Sequence, residues 1–403
     1  MQSISTPRKI SAQGNSIVEG EHLVGEFIGD ESGPTLVVFG SVHGNEPSGL
    51  IAMRKAASKL QELGTNIKGR IYFLAGNTRA IKQNVRFIDC DLNRNWTLEN
   101  INKTLPDSGI ATTAAEDQEQ RELLEIIERV FSSAKDEVYA MDLHSTSAKS
   151  TPFAMIGDTL RNRTFAQKFP ATFLLGIEEQ LDSTILEYIN NLGAVTLGFE
   201  AGQHTDKTAI ESQEALIWLA LLNSGILSGS LTKREKHEET LRRAMGSEKR
   251  IIEIRHRHAI SSEDGFKMKP GYENFQQVRK GEHLAEDKRG EIRAKETSLI
   301  LMPLYQSQGN DGFFLGREIS PFWLWLSRVL RKLNIGNLMR FLPGVKLAPN
   351  NADSFVVNTR IARVFPLQIF HLLGFRKRRW KDEKLVVSRR KHDTKSPFYK
   401  HAS

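Results

Sequence analysis

Short apolar runs alternate with segments of helical spacing along the first half of the chain. Residues 34–40 and 71–75 are apolar runs typical of buried strands, and the apolar positions of 48–60 between them repeat with helical spacing. A strand–helix–strand unit of this kind builds parallel sheets. The alternation continues with strands at 138–142, 153–156, 172–175 and 194–199 and helices at 114–131, 184–192 and about 208–222. The sequence therefore predicts an α/β domain over residues 1–227, with a mixed, mostly parallel sheet flanked by helices.

The pattern changes in the second half. Residues 228–250 are rich in Lys, Arg and Glu, which is typical of a charged, solvated linker or an exposed helix. Next, period-two alternation and short apolar runs between Gly-containing turns predict a small β domain over 251–316. Residues 317–403 are predicted to form a basic, partly amphipathic helical extension, and we expect its end, 381–403, to be disordered.

Polar clusters follow four of the predicted strands, at the point where each strand ends. They are His43-Gly-Asn-Glu46, Arg86 with Asp91-Leu-Asn93-Arg94, Asp142-Leu-His144, and Glu200. In open α/β sheets, ligands bind outside the carboxyl ends of the strands. The placement alone therefore nominates these side chains for a common site.

His43, Glu46 and His144 are of the residue types that bind catalytic zinc, which takes three protein ligands and leaves one position open. A His-x-x-Glu motif alone is a weak signal, since the chain contains a second one, His283 to Glu286, which we interpret as a surface coincidence. The combination of one motif after a strand and a His at another strand end is far more specific. We therefore predict one zinc ion on these three residues.

Two further acidic residues, Asp142 and Glu200, belong to the same polar clusters, and each allows two interpretations. Asp142 lies two residues before His144, so both side chains point to one face of a strand. It either orients the imidazole or caps the backbone that follows. Glu200 is either an exposed strand end or, with zinc in place, the general base near the metal.

Arginine forks bind carboxylates and stabilise oxyanions, which makes Arg86 and Arg94 candidates for contacts with a substrate. Asn93 precedes Arg94 directly. The alternative is a surface salt-bridge cluster with Asp89 and Asp91, which is the commoner outcome for any single arginine.

Five segments together resemble the succinylglutamate desuccinylase/aspartoacylase family, a branch of the zinc-carboxypeptidase-like superfamily. They are His43-Gly-Asn-Glu46, Asn77-Thr-Arg-Ala80, Arg86 to Arg94, Asp142-Leu-His144 and Gly198-Phe-Glu-Ala-Gly202. Later segments from Pro270 to Phe314 are similar to the family's C-terminal β domain. The resemblance covers roughly residues 20–316 and leaves the extension out.

The resemblance implies a zinc-carboxypeptidase-like catalytic domain. In this domain the resemblance implies that His43, Glu46 and His144 bind zinc and that Glu200 is the general base. It also implies that Arg86 polarises the scissile carbonyl, and that Asn93 and Arg94 bind the carboxylate of the substrate.

Two positions depart from the family. Aspartoacylase-like members place an Arg about ten residues before the catalytic Glu, where this chain has Asn190. The family's active-site Tyr in the β domain has no clear counterpart in Gly309–Phe314, and Tyr305 is out of register. We therefore expect the amide-hydrolase chemistry to carry over, but not specificity for acyl-aspartate or succinylglutamate.

The charge of the chain is unevenly distributed. The net charge is +8, yet residues 315–403 hold 19 Lys and Arg against 5 Asp and Glu, a balance of +14. The other 314 residues hold 37 against 43, a balance of −6. The basic character therefore belongs to the extension and says nothing about the substrate.

Basic amphipathic segments with Trp lie between residues 321 and 380. Such segments pack on a protein body or between copies of a chain, lie on anionic membrane surfaces, or bind nucleic acid, which we favour least here.

A single Cys excludes a disulfide framework. Neither a secretory signal nor a spanning apolar segment is visible, so we expect a cytoplasmic protein, with membrane-surface association left open.

The sequence thus predicts a zinc-dependent amidohydrolase acting on an N-acyl amino acid or a similar small amide that carries a carboxylate. The nearest alternative is a zinc carboxypeptidase acting on peptides. An alternative of another class is a membrane- or nucleic-acid-associated binding protein with a vestigial site. Metal content and a substrate panel separate the three.

Overall fold

A computed structural model describes most of the chain. The described residues are 9–10, 20–63, 67–105, 113–146, 150–181, 183–204, 206–229, 231–246, 249–306, 308–348, 351–358, 367–381 and 384–398.

The strands within these ranges are β1 (Lys9–Ile10), β2 (Leu23–Ile28), β3 (Asp30–Gly40), β4 (Lys68–Ala75), β5 (Val138–Thr146), β6 (Phe153–Ile156), β7 (Phe173–Leu175), β8 (Val195–Gln203), β9 (Ile251–Ala259), β10 (Lys267–Met268), β11 (Gln277–Val278), β12 (His283–Asp287), β13 (Gly290–Arg293), β14 (Ser298–Leu301), β15 (Asp311–Glu318), β16 (Val345–Ala348), β17 (Asn351–Asn358), β18 (Phe375–Lys381) and β19 (Lys384–Arg389). The helices are α1 (Ser48–Leu63), α2 (Thr78–Gln83), α3 (Leu98–Thr104), α4 (Ala115–Ser133), α5 (Leu160–Ala166), α6 (Ile185–Asn191), α7 (Lys207–Asn223), α8 (Arg234–Met245), α9 (Pro321–Lys332) and α10 (Leu367–Leu372). Short 3₁₀ turns cover Leu92–Arg94, Ile177–Glu179 and Ile335–Phe341.

One mixed sheet forms the centre of the molecule, with the strand order β1-β2-β4-β3-β5-β8-β6-β7-β9-β15-β14-β11. β3 pairs in parallel with β4 and β5, and β5 pairs in parallel with β8. The carboxyl ends of these strands therefore lie at one edge of the sheet. The predicted mixed α/β fold with flanking helices is confirmed.

Both faces of the sheet are buried. Alternate residues of β3 point to opposite sides, so Val38 packs in the layer with α1 and α7, whereas Val37 packs in the layer with α4 and α6. Because both faces are covered, β3 is a continuous apolar run rather than an alternating one. This rigid centre fixes the positions of the loops that follow the strands.

The segments after residue 227 extend this sheet. The charged segment 228–250 contains α8, whose Leu241 is buried against the core that includes α7. β9 pairs with β7 and β15, so the predicted β region is continuous with the central sheet, while β10, β12 and β13 form a separate three-stranded sheet.

The extension contains more than the predicted helices. Besides α9 and α10, it holds an antiparallel sheet with the order β16-β17-β19-β18, which the sequence analysis did not predict. The expectation of a disordered end is wrong for residues 384–398. Leu385 and Val387 of β19 are buried in a core of the extension, and Pro397 packs so closely on Gly193 that a Cβ there would lie 2.2 Å from the Pro397 Cγ. This short strand could not be recognised from the sequence because Lys and Arg residues flank its few apolar positions.

Buried charge joins the extension to the catalytic part. Arg331 of α9 donates to the Asp158 carboxylate at 2.8 Å and to the Asp158 carbonyl at 2.7 Å. Arg163 also pairs with Asp158, and Arg390 pairs with Glu178. Burial raises the pKa of Asp158, but the surrounding guanidinium groups outweigh it and hold that pKa well below its usual range.

None of the described helices is long and apolar enough to cross a bilayer.

His371 of α10 makes one of these joining contacts, and its stabilising effect is expected to depend on pH. Its Nε2 lies 2.8 Å from Glu179. Burial lowers the pKa of His371, but Glu179 outweighs burial and raises it to about 9. A raised folded-state pKa stabilises the fold fully below the unfolded value of about 6.5, and this contribution is lost as the pH rises through about 9.

We therefore expect His371→Gln to be less stable than the parent chain by about 2 kcal/mol at pH 6, with the difference shrinking as the pH rises from about 6.5 and gone above about pH 9. Thermal unfolding of both proteins across this range measures it. A difference that stays constant from pH 6 to pH 10 contradicts the assignment.

Candidate metal and catalytic site

Three predicted zinc ligands converge at the carboxyl edge of the sheet. His43 and Glu46 lie in the loop after β3, and His144 lies near the end of β5. The Nδ1 atoms of His43 and His144 lie 2.9 Å and 3.1 Å from the two carboxylate oxygens of Glu46. One donor atom from each residue falls within 4.8 Å of the others, and all three side chains are buried. Two imidazole nitrogens and a carboxylate oxygen are the donor set that zinc prefers, so these residues fit that ion.

The loop after β3 is compact because Gly44 lies directly against α2. A Cβ at Gly44 would come within 2.2 Å of the Ala80 backbone, so no other residue fits without movement. The Gly44 amide donates to the Arg86 carbonyl, and the Ser41 hydroxyl donates to the Glu46 carbonyl. These contacts turn His43 and Glu46 towards the same centre.

A second layer of carboxylates holds both imidazoles. His43 Nε2 lies 3.1 Å from Asp91 Oδ1, and His144 Nε2 lies 2.6 Å from Asp142 Oδ2. Such contacts fix the tautomer and rotation of a ligating ring, so that both Nδ1 atoms face the centre. Asp142 therefore contacts its histidine rather than a following turn. Asp91 was considered only as a surface partner, yet it is buried and matches Asp142 in its contact.

Removing either carboxylate is expected to weaken metal binding. Asp91→Ala and Asp142→Ala should each lower zinc affinity about 10- to 100-fold, because the imidazoles lose the contacts that orient them. Competition with a chromophoric chelator measures the affinity. Asp89→Ala is the matched control, since Asp89 is exposed and accepts a hydrogen bond from Ala115 outside the site. Equal affinity in all four proteins would refute the role.

Arg86 points into the site rather than to the surface. Its Nη1 donates to Glu46 at 3.2 Å, and its Nη2 lies 3.0 Å from His43 Nε2 and 3.4 Å from Asp91. A guanidinium in this position can stabilise negative charge that develops beside the three candidate ligands.

Glu200 lies beside His144 because β5 and β8 pair in register there. Its Oε2 is buried and has no hydrogen-bond partner among the described residues. Burial is the main reason that the pKa of Glu200 rises to about 7, and the nearby Glu46 carboxylate raises it further. A carboxyl group with this pKa can both accept and release a proton near neutral pH.

Asn93 and Arg94 occupy a 3₁₀ turn capped by Asp91. The Asn93 amide nitrogen lies 3.3 Å from His144 Nε2, and its oxygen accepts a hydrogen bond from the Ile185 amide. Arg94 donates to Asp311 of β15 at 2.7 Å. Asp311 escaped the sequence analysis because it lies far from Arg94 along the chain, with no local pattern to connect them.

A second group of His and Glu side chains, around His22, already forms ion pairs with an arginine. Glu119 and Glu122 approach His22 Nε2, but Arg79 donates to both carboxylates. The motif at His283 belongs to no group of three such side chains in the described part of the chain, consistent with its interpretation as a coincidence.

Comparison with known proteins gives a family match for the catalytic part. Residues 32–221 match the family described as the succinylglutamate desuccinylase/aspartoacylase catalytic domain. This segment, just under half of the chain, is similar to that domain. Aspartoacylase of Rattus norvegicus is 30% identical over 149 residues, which cover 35% of this chain and 43% of that protein. Aspartoacylase of Mus musculus is 30% identical over 141 residues, or 33% and 41%. The chain thus matches less than half the length of these curated relatives.

Solved structures share the fold. The succinylglutamate desuccinylase/aspartoacylase from Rhodobacter sphaeroides has a TM-score of 0.55 and 20% identity, covering 73% of this chain and 89% of its own. The succinylglutamate desuccinylase from Vibrio cholerae has a TM-score of 0.56 and 17% identity, covering 79% and 92%. At these identities the likeness establishes the fold alone.

The two departures from the succinylglutamate desuccinylase/aspartoacylase family have clear positions. Asn190 lines the cavity of the site, and its amide nitrogen donates to the Ala194 carbonyl at 2.9 Å. Tyr305 donates instead to the Lys269 carbonyl at 3.0 Å and is not among the cavity-lining residues. Neither residue supplies what the family pattern has at these positions.

All eight site residues predicted from the sequence line one cavity. They are His43, Glu46, Arg86, Asn93, Arg94, Asp142, His144 and Glu200. The extension adds Arg376, Arg389, Arg390 and Lys391 to the cavity lining. Arg376 pairs with Glu187, and Arg390 pairs with Glu178. The extension therefore forms part of the wall of this cavity, which no sequence pattern indicated.

Proposed function

We propose that this chain is a zinc-dependent amidohydrolase that cleaves the amide bond of an N-acyl amino acid or a similar small amide carrying a carboxylate. The observation that carries the proposal is the convergence of His43, Glu46 and His144 beside Glu200, whose Oε2 is buried and lacks a hydrogen-bond partner among the described residues. The match of residues 32–221 to a family of deacylases supports the reaction class.

When bound by His43, Glu46 and His144, zinc supplies a Lewis acid that polarises a carbonyl and lowers the pKa of water. The residues of the chain perform the remaining tasks. Glu200 takes a proton from the attacking water and delivers it to the nitrogen of the leaving amine, which its raised pKa permits. Arg86 stabilises the oxyanion that forms at the carbonyl.

Asn93 and Arg94 are proposed to bind the carboxylate of the substrate. Arg94 is paired with Asp311 in the structure, so a substrate carboxylate would share the guanidinium with that residue. Asp91 and Asp142 act through the imidazoles that they contact and are positioning residues.

A substrate panel tests the proposal. The zinc-loaded chain is expected to hydrolyse one or more N-acyl amino acids faster than peptides of three or more residues. Faster cleavage of the peptides would favour a carboxypeptidase instead. Failure to bind zinc after supplementation would favour a binding protein with a vestigial site.

A further inference from the structure

α9 is oriented with its polar side chains inward and its aromatic side chains outward. Ser327 and Arg331 are 1% and 3% exposed. By contrast, Phe322, Trp323 and Trp325 are 56%, 49% and 57% exposed. Amphipathic helices of globular proteins normally bury the apolar side, so this helix is inverted relative to the expected arrangement.

Buried hydrogen bonds fix this orientation. Ser327 Oγ donates to the Leu372 carbonyl, and Arg331 donates to the His371 carbonyl and to Asp158. Rotating the helix to bury its apolar side would break these contacts and leave Asp158 without one of its partners. The outward direction of the aromatic residues is therefore built into the fold.

The outward residues form a continuous apolar stripe. Phe322, Trp325, Leu326, Val329 and Leu333 follow the i, i+3, i+4, i+7 spacing that places side chains on one side of a helix. Leu333 is 66% exposed. We call this stripe, together with Trp323, the tryptophan face.

Further exposed apolar residues follow in the segment after α9, whose 3₁₀ turn contacts that helix. Leu338, Phe341 and Leu347 are 55%, 69% and 52% exposed. Scattered exposed apolar residues are normal, but such a dense group on one segment marks an interaction surface.

The segment that carries the tryptophan face is basic along the sequence. Residues 319–352 contain five Lys or Arg and no Asp or Glu. Lys332, Arg340 and Lys346 are exposed among the apolar side chains. A symmetric contact between two copies through this face would bring like charges together. An anionic lipid surface satisfies both the cations and the apolar side chains.

We propose that the tryptophan face inserts into the headgroup region of a bilayer that contains anionic lipids, so that the protein binds peripherally to a membrane. Trp and Phe side chains enter the interface while Lys332, Arg340 and Lys346 contact lipid phosphates. This proposal does not depend on the hydrolase activity.

Vesicle sedimentation with the full chain tests the proposal. We expect binding to vesicles of phosphatidylcholine with about one third phosphatidylglycerol, and at least tenfold weaker binding to phosphatidylcholine alone. Raising the salt concentration should weaken the binding, since the electrostatic part is screened. Absence of binding to the anionic vesicles at low salt would overturn the proposal.

A surface variant identifies the face. The triple variant Phe322→Ser, Trp325→Ser, Leu333→Ser should bind anionic vesicles at least tenfold more weakly while keeping the circular dichroism and melting temperature of the parent. Leu98→Ser is the matched control, because Leu98 is 72% exposed on α3 in the catalytic part, and it should bind as the parent does. Unchanged binding of the triple variant would overturn the proposal. Self-association that the triple variant loses, without vesicle binding by the parent, would assign the face to a second copy instead.

A conservative variant reports insertion itself. Lipids brominated on their acyl chains should quench the tryptophan fluorescence of the parent chain. In a chain that already carries Trp380→Phe, the pair Trp323→Phe and Trp325→Phe should keep the binding but lose most of that quenching, since the two tryptophans that remain, Trp96 and Trp218, are buried in the protein. Full quenching in the double variant would show that another part of the chain enters the bilayer and would overturn the assignment.

Discussion

Replacing Glu200 by Gln is expected to lower turnover by about two to four orders of magnitude while leaving zinc bound. The amide keeps the shape of the side chain but cannot accept a proton from water. General base catalysis is worth about 10²- to 10⁴-fold, so kcat should fall by a factor in that range. Zinc content should stay at that of the parent, because Glu200 is not among the three converging ligands.

Glu187→Gln is the matched control for this change. Glu187 also lines the cavity, but it pairs with Arg376 of the extension. Its loss should lower kcat far less than the loss of Glu200 does. Steady-state kinetics and metal analysis on the same preparations separate the two effects. A Glu200→Gln protein with most of its activity would refute the assigned role, and one without zinc would make Glu200 a ligand.

Asp158→Asn is expected to release the extension from the catalytic part. The substitution leaves the guanidinium groups of Arg163, Arg331 and Arg390 without a carboxylate that they share. Removing one partner of a buried ion pair costs about 3–5 kcal/mol. Because the folded-state pKa of Asp158 is depressed, its contribution is present above the ordinary carboxyl pKa and is lost as the pH falls through the folded-state value.

Hydrogen exchange on β19 measures this loss at neutral pH. Protection there should fall by roughly 100-fold or more, since 1.4 kcal/mol corresponds to about a factor of ten. Arg328→Met is the control, because Arg328 lies on the same helix α9 but bonds to Gln167 near the surface. Its effect should stay within about 0.5 kcal/mol. Equal protection in the Asp158→Asn protein would show that the buried charges do not hold the extension.

The convergence of the three candidate ligands could be predicted because each follows a strand that the sequence pattern indicates. His43 and Glu46 share one loop, and His144 ends a strand that pairs with the strand before that loop. Parallel strands bring their carboxyl ends together, so strand assignment was enough to nominate the group. Asp91 belongs to the same motif as Asn93 and Arg94, but the sequence does not show that it is buried. Its burial in the structure is what distinguishes it from a surface salt-bridge partner.

Contacts between distant segments could not be predicted. Nothing local connects Arg94 with Asp311, or Arg331 with Asp158, because tertiary packing alone brings these charges together. The apolar stripe of α9 was visible in the sequence, but its outward direction depends on the burial of Arg331. β19 was missed because basic residues surround its alternating pattern.

Titration of the metal-free chain with zinc, followed by hydrolysis of the best N-acyl amino acid in the panel, tests the central claim most directly. We predict that activity rises linearly with added zinc and reaches a plateau at about one equivalent per chain. The same titration of His144→Ala should give no activity at that ratio. A parent chain that stays inactive at one equivalent, or that is fully active without zinc, would contradict the account.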